Sequence, residues 1–313
     1  MTQSTDTTDP SIPPKGFPNF LVIGASKSGT SSLYYYLKQH PQIFLSSVKE
    51  TQFFNMDKIF NLGAKEFVNI YFPTAENYIA IGDITPSYLV RPQKVIPRIQ
   101  QVYGNCPPKI VIIMRHPVKR AWSHYQHMVR SGEETETFSQ ALANEKSRIQ
   151  CDPDGWWGYR SEGDYAHYIE SWMQEIPKEN FHFIVTEELA EQPNQVLADL
   201  FRHLGVDESF QVPDLAIRNS GGAIRYQWLT HYLGAQGILK SALKSLLPYR
   251  VRQKLKTRII GLNTKEPTSK TYMPDHIQQE LTTYYTPKIQ QLEKLLNRDL
   301  SAWDVNNNLN NDH

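Results

Sequence analysis

The sequence predicts an α/β fold: a central, mainly parallel sheet of about five strands, flanked by helices in three layers. Short β-rich runs alternate with longer helical patterns, the signature of strands joined by crossover helices. The run Ile110-Val111-Ile112-Ile113-Met114 is apolar on both faces, as a central strand buried under helices must be. The run Phe20-Leu21-Val22-Ile23-Gly24-Ala25 passes directly into a loop of Ser, Lys, Gly and Thr, and a helical pattern follows. Such a start points backbone N–H groups and a helix N-terminus at an anion.

Taken in order, strands are expected over Phe20–Ala25, Ile43–Leu45, Tyr78–Ile84, Lys109–Arg115 and Phe181–Thr186. Helices are expected over Thr30–His40, Val118–Ser131, Phe138–Lys146, Tyr165–Glu175, Pro193–Leu204 and Pro274–Leu296. Pro117 suits the first turn of the helix after the fourth strand. Ligands of parallel sheets lie at the carboxyl ends of the strands, so the loops after Ala25, Ile84 and Met114 are where chemistry belongs. Residues 1–16 are polar with three prolines and read as a disordered lead-in. Residues 17–305 form a single domain, 231–271 a basic helical excursion from it, and 306–313 a disordered tail.

The composition of the 313 residues, 40% of them hydrophobic, is that of a soluble globular protein. Two cysteines, Cys106 and Cys151, argue against a disulfide framework and for reduced thiols in a cytosol. No apolar run approaches the roughly 20 residues needed to cross a bilayer, and the N-terminus lacks signal-peptide order. A cytoplasmic protein is expected, with peripheral membrane contact left open. The net charge of +1 hides an asymmetry: Leu215 through Lys265 hold ten of the 33 lysines and arginines and none of the 32 acids. Such a segment suits an anionic polymer, an acidic protein or a membrane surface, although a solvated helix face reads the same way. No nucleic-acid partner is expected.

Gly24 and Gly29 have the G-x-x-x-x-G spacing of a nucleotide P-loop, but Thr30-Ser31 follow in place of Lys-Ser/Thr, and the lysine sits inside the loop at Lys27. Lys27 and the amides of Ser28, Gly29 and Thr30 suit a phosphate, with the Thr30 and Ser31 hydroxyls as further donors. A simple strand-to-helix turn needs the same Gly and hydroxyl residues. Arg115, closing a strand, and Ser123, about two turns into the next helix, can grip a second phosphate; Arg115 alone reads equally as a cap or ion-pair residue. Glu50, after the second strand, can serve as general base for a hydroxyl or stand as an exposed acid beside core aromatics. Trp156 and Trp157 lie in a Gly/Asp-rich loop where aromatic faces stack on a sugar or anchor packing. No metal site is expected, since H-E-x-x-H and C-x-x-C patterns are absent.

Together these motifs resemble the sulfotransferases that use 3′-phosphoadenosine-5′-phosphosulfate (PAPS), in particular the branch of heparan-sulfate sulfotransferases and bacterial relatives. Ser26-Lys27-Ser28-Gly29-Thr30 is similar to the family's 5′-phosphosulfate loop. Arg115-x-Pro117-x-x-Arg120-x-x-Ser123-x-Tyr125 is similar to its 3′-phosphate motif. Lys49-Glu50-x-x-Phe53-Phe54 resembles the segment with the catalytic glutamate, and Gly82-Asp83-Ile84-Thr85-Pro86-Ser87-Tyr88 a further signature. Gly163-x-Tyr165 and the closing Leu292–Trp303 stretch also fit, so the likeness spans roughly residues 18–303. One departure stands out: heparan-type members carry a lysine where this chain has Ile84.

The resemblance implies a P-loop-like fold and transfer of the PAPS sulfuryl group to a hydroxyl or amine, with PAP (3′-phosphoadenosine-5′-phosphate) released and no metal required. Glu50 and Lys27 are the implied catalytic residues. Ser26, Lys27, Ser28, Gly29, Thr30, Ser31, Arg115, Ser123, Arg225 and Lys270 are the implied PAPS contacts. Lys49, Phe53, Pro86, Tyr88, His127, Trp156 and Trp157 are candidates for the acceptor, expected to be a carbohydrate, a glycolipid, a carrier-bound hydroxyacyl chain or a small metabolite. The competing expectations are a P-loop kinase or NTPase, which the absent lysine after Gly29 disfavours, and a non-catalytic anion-binding module built on residues 215–265.

Overall fold

The computed structural model describes residues 13–216, 223–224, 264–265 and 272–303. In chain order these form β1 (Phe20–Gly24), α1 (Thr30–Leu37), β2 (Ile43–Leu45), α2 (Asp57–Phe60), α3 (Gly63–Tyr71), β3 (Ala80–Ile84), α4 (Pro92–Tyr103), β4 (Lys109–Met114) and α5 (Pro117–Ser131). Then follow α6 (Phe138–Cys151), α7 (Tyr165–Met173), β5 (Phe181–Val185), α8 (Thr186–Glu191), α9 (Pro193–Leu204), β6 (Ala223–Ile224), β7 (Thr264–Lys265) and α10 (Asp275–Leu296). All five expected strands occur, each starting or ending within two residues of its expected bound. The helices α2, α3, α4 and α8 are additional to those expected. The 231–271 excursion lies outside the described residues except at Thr264–Lys265, which are extended and pair antiparallel with Ala223–Ile224.

These residues group into two compact units. The first holds the described residues up to Ala121, those from Arg160 through 216, and those from Gln279 on; the second holds Trp122–Tyr159 and the described residues between 219 and 278.

The first unit contains the sheet, with strand order β2-β3-β1-β4-β5 and every pairing parallel. Phe20 aligns with Gly82 on one side and Lys109 on the other, and Ile110 aligns with Phe181. β1 is buried at all five positions, and β4 at its last five, which explains their unbroken apolar sequences. Helices flank the sheet in a P-loop-like arrangement. The core joins Phe20, Val22, Val111 and Ile113 from the sheet to Leu33 and Leu37 of α1 and Leu197, Leu200 and Phe201 of α9. A separate aromatic cluster gathers Phe17, Phe53, Phe54, Phe67 and Tyr103, with ring centroids of successive pairs 4.2 to 6.5 Å apart. The chain order makes β1 the point where connections reverse, the place where parallel sheets bind ligands at the carboxyl ends of their strands.

In the second unit, buried Glu134 organises the chain. Its carboxylate accepts from the Tyr159 hydroxyl at 2.8 Å, from Arg148 at 2.5 Å and from the Thr135 and Glu136 N–H groups at 2.9 Å each. α6 starts with a capping box in which Thr137 and Gln140 satisfy each other's N–H groups.

Candidate active site

The loop after β1 is pinned on three sides. The Leu89 N–H donates to the Ile23 carbonyl at 2.8 Å, so closely that a Cβ on Gly24 would lie 2.6 Å from that of Leu89. The Ala25 N–H donates to the Ile113 carbonyl at 2.7 Å. The Thr186 hydroxyl, at the start of α8, lies 2.7 Å from the Ser28 carbonyl and 2.9 Å from that of Met114. Within the loop Lys27 adopts φ 67° and Gly29 φ 94°, both left-handed. Gly29 takes this conformation without strain; Lys27 does not.

Gly29 is also the N-cap of α1 and offers no side chain, so no side chain caps this helix and no acid occupies its first turn. The Ser28 hydroxyl is fully buried beside the Tyr165 phenol and meets no hydrogen-bond partner of good geometry. An uncapped N-terminus, a half-buried lysine and a buried hydroxyl to spare fit the anionic end of PAPS.

Arg115 stands directly after β4, half-buried, with its carbonyl accepting from the Tyr165 hydroxyl at 2.9 Å. The His116 N–H donates to Glu187 at 3.2 Å, whose other oxygen accepts from the Trp303 indole at 3.1 Å. His116 Nδ1 in turn accepts the Val118 N–H at 3.2 Å, so the ring nitrogen satisfies an orphan donor of α5. Burial, with the Lys119 charge, pulls the His116 pKa down to about 4. Arg120, the second arginine of the motif, is fully buried 3.5 Å from Glu162 and beside Tyr285 and Tyr165. It is an interior ion-pair group.

Glu50 lies half-buried at φ 62°, with Lys49 Nζ 2.9 Å from its Oε1. Its N–H donates to the Ile84 carbonyl at 3.2 Å. Ile84 itself points into the core, 3% exposed. Next to it is the buried carboxylate of Asp83. Asp83 accepts from Thr85 Oγ1 at 3.1 Å and from the Tyr88 hydroxyl at 2.8 Å, with the buried Thr51 hydroxyl beside it. Burial pushes the Asp83 carboxyl up, while the surrounding Tyr88, Thr51 and Thr85 hydroxyls favour its charged form. Burial and the Asp83 charge push the Tyr88 phenol well up.

The carboxyl edge of the sheet thus brings together Ser26, Lys27, Ser28, Gly29, Thr30 and Ser31, Arg115, and the Lys49–Glu50 pair. Of the expected acceptor residues at this edge, Phe53 lies in the aromatic cluster, the Tyr88 hydroxyl donates to Asp83, and Pro86 is buried. Ser123, His127, Trp156 and Trp157 belong to the second unit. There Trp156 is exposed with its ring 6.1 Å from His127, and Arg148 stacks over Trp157 at 5.1 Å. Arg225 and Lys270 lie outside the described residues. Thr186 lies outside the sequence motifs, whereas Asp83 and Thr85 stand in the Gly82–Tyr88 signature and Gln52 in the Lys49–Phe54 segment, with no role assigned to them there; their hydrogen bonds are what the structure adds. Cys106 and Cys151 are unbridged and exposed. Among the described residues no helix is long and apolar enough to cross a membrane.

A lysine-bearing loop at a helix N-terminus and an ion-paired carboxylate at the same edge of a P-loop-like sheet suit a group-transfer enzyme. Residues 17–220 match the sulfotransferase domain model, and the chain belongs to the sulfotransferase family. It is similar to a sulfotransferase from Alicyclobacillus acidocaldarius at 30% identity and TM-score 0.66, covering 92% of this chain and 98% of that one. It is also 29% identical over 178 residues to heparan sulfate glucosamine 3-O-sulfotransferase 6 of Mus musculus, covering 56% of this chain and 49% of that protein. A third relative, the bifunctional heparan sulfate N-deacetylase/N-sulfotransferase of Drosophila melanogaster, is 29% identical over 208 residues, covering 60% of this chain and 20% of that protein. The chain therefore spans less than half the length of these two relatives.

Proposed function

We propose that this chain transfers the sulfuryl group of PAPS to a hydroxyl, or an amine, of a carbohydrate acceptor. The observation that carries the reading is the Lys27 loop at an uncapped helix N-terminus on the same sheet edge as the Lys49–Glu50 pair. The heparan sulfate sulfotransferases among the relatives support a sugar as acceptor.

Lys27, Ser28, Gly29, Thr30 and Ser31 would hold the phosphosulfate end of PAPS, with Ser26 flanking them, and Arg115 its 3′-phosphate; the sequence resemblance adds Ser123, Arg225 and Lys270. PAPS, when bound, supplies a sulfuryl group on a phosphate leaving group. Glu50 takes the proton that the acceptor loses, and Lys49 orients that carboxylate through the ion pair. Lys27 sets a fixed positive charge against the anion in the loop, where a nucleotide-hydrolysing relative of the fold would place a metal.

The test is Glu50→Gln, assayed with radiolabelled PAPS and desulfated heparan sulfate, beside a lipid-linked sugar and a hydroxyacyl carrier protein. Transfer should fall by at least about 10²-fold while calorimetric PAP affinity stays within about twofold. Near-normal turnover would remove Glu50 from the mechanism, and selective binding of ATP over PAP would overturn the donor.

A further inference from the structure

Glu50 and Gln52 both hold left-handed backbone, at φ 62° and 61°, with Thr51 between them. Two non-glycine residues in this region persist only where their surroundings over-determine them. The surroundings are the corner after β3. Three consecutive-but-one N–H groups hang from it: that of Glu50 on the Ile84 carbonyl at 3.2 Å, that of Gln52 on Thr85 Oγ1 at 3.5 Å, and that of Phe54 on the Tyr88 hydroxyl at 3.2 Å.

Two of these three acceptors are hydroxyls, and each has one hydrogen to give. Both give it to Asp83, Thr85 to Oδ1 and Tyr88 to Oδ2. Because a carboxylate only accepts, the two hydroxyls must turn their lone pairs toward the Gln52 and Phe54 amides. The direction of every hydrogen bond in the relay follows from one buried acid. Gln52 extends the same frame, its Oε1 accepting from Asn55 at 2.9 Å and Ser87 at 3.2 Å.

We infer that Asp83 is a positioning residue for the reaction: through Thr85 and Tyr88 it fixes the left-handed 50–54 segment and thereby aims Glu50. The inference rests on the reading of Glu50 as the base. An isosteric amide at position 83 keeps the volume but brings donors, so one hydroxyl must accept from it and turn its hydrogen against the Gln52 or Phe54 N–H.

Asp83→Asn should therefore speed hydrogen exchange of the Gln52 and Phe54 amides about tenfold, while residues 20–37 exchange as before. With PAPS and desulfated heparan sulfate, kcat should fall about 10²-fold, as expected for a displaced catalytic group, with PAP affinity within about twofold. Thr85→Val should act in the same direction, and Thr85→Ser, which keeps the hydroxyl, should recover most of the loss. If Asp83→Asn does not fold, the Thr85 pair decides by the same readouts. Unchanged exchange, or faster exchange with unchanged kcat, would overturn the inference. A fully active Glu50→Gln variant with altered exchange in Asp83→Asn would instead overturn the base and leave the brace standing.

Discussion

Among the described residues, four non-glycine positions adopt left-handed backbone, and three of them, Lys27, Glu50 and Gln52, lie at the carboxyl edge of the sheet. Each such residue costs on the order of 1–3 kcal/mol, and the cost persists where the surrounding hydrogen bonds impose it. His116 shows another kind of cost at the same edge. It is 4% exposed, and burial lowers its pKa from 6.5 to about 4. A depressed histidine value means that the unfolded chain binds the proton first. Stability therefore falls as pH drops from 6.5 toward about 4. At pH 5 the loss from this one ring amounts to about 2 kcal/mol. Urea unfolding at pH 7 and pH 5 checks it: His116→Asn, which can still accept the Val118 N–H, should lose about 2 kcal/mol less than the parent on acidification. Equal losses in both proteins would assign the acid sensitivity elsewhere.

At the scale of elements, the anion loop is held less by its own residues than by its neighbours. Thr186 Oγ1 spans the Ser28 and Met114 carbonyls, and so ties the loop to the end of β4. Thr186→Val keeps the shape of the side chain and removes that tie. PAP affinity should drop about tenfold by calorimetry, at a stability cost of about 1–2 kcal/mol; unchanged affinity would show that the loop holds its form unaided. This tie also marks the limit of what the sequence makes legible. β1 and β4 are readable because burial on both faces leaves a nearly unbroken apolar run. α4 is not, because Pro92 and Pro97 interrupt the periodic signal although the helix accommodates both. Lys27, Arg115 and Glu50 are readable as types at fixed spacings. Asp83, Thr85 and Thr186 act through partners up to 158 residues away, and the direction of a hydroxyl hydrogen leaves no trace in residue order. Phe53 and Tyr88 show a complementary limit: their motif positions do not reveal that both side chains are buried.

At the scale of the whole molecule, charge is segregated along the chain. The acid-free stretch Leu215–Lys265 carries ten Lys and Arg against a net charge of +1 overall, so the rest of the chain is net acidic. A uniformly acidic surface would repel a polyanionic acceptor; a local basic segment raises its encounter rate and does so less at high salt. Replacing Arg250, Arg252, Lys254, Lys256 and Arg258 by Gln tests this without touching Lys27, Arg115, Glu50 or their supports. KM for desulfated heparan sulfate should rise about tenfold at low ionic strength, and the two proteins should converge as salt approaches 0.5 M, where the Debye length is only about 4 Å. Thermal unfolding and PAP affinity should stay near the parent values. If KM is instead unchanged at every salt concentration, the basic segment takes no part in capturing the polysaccharide, and acceptor recognition falls to groups near Glu50.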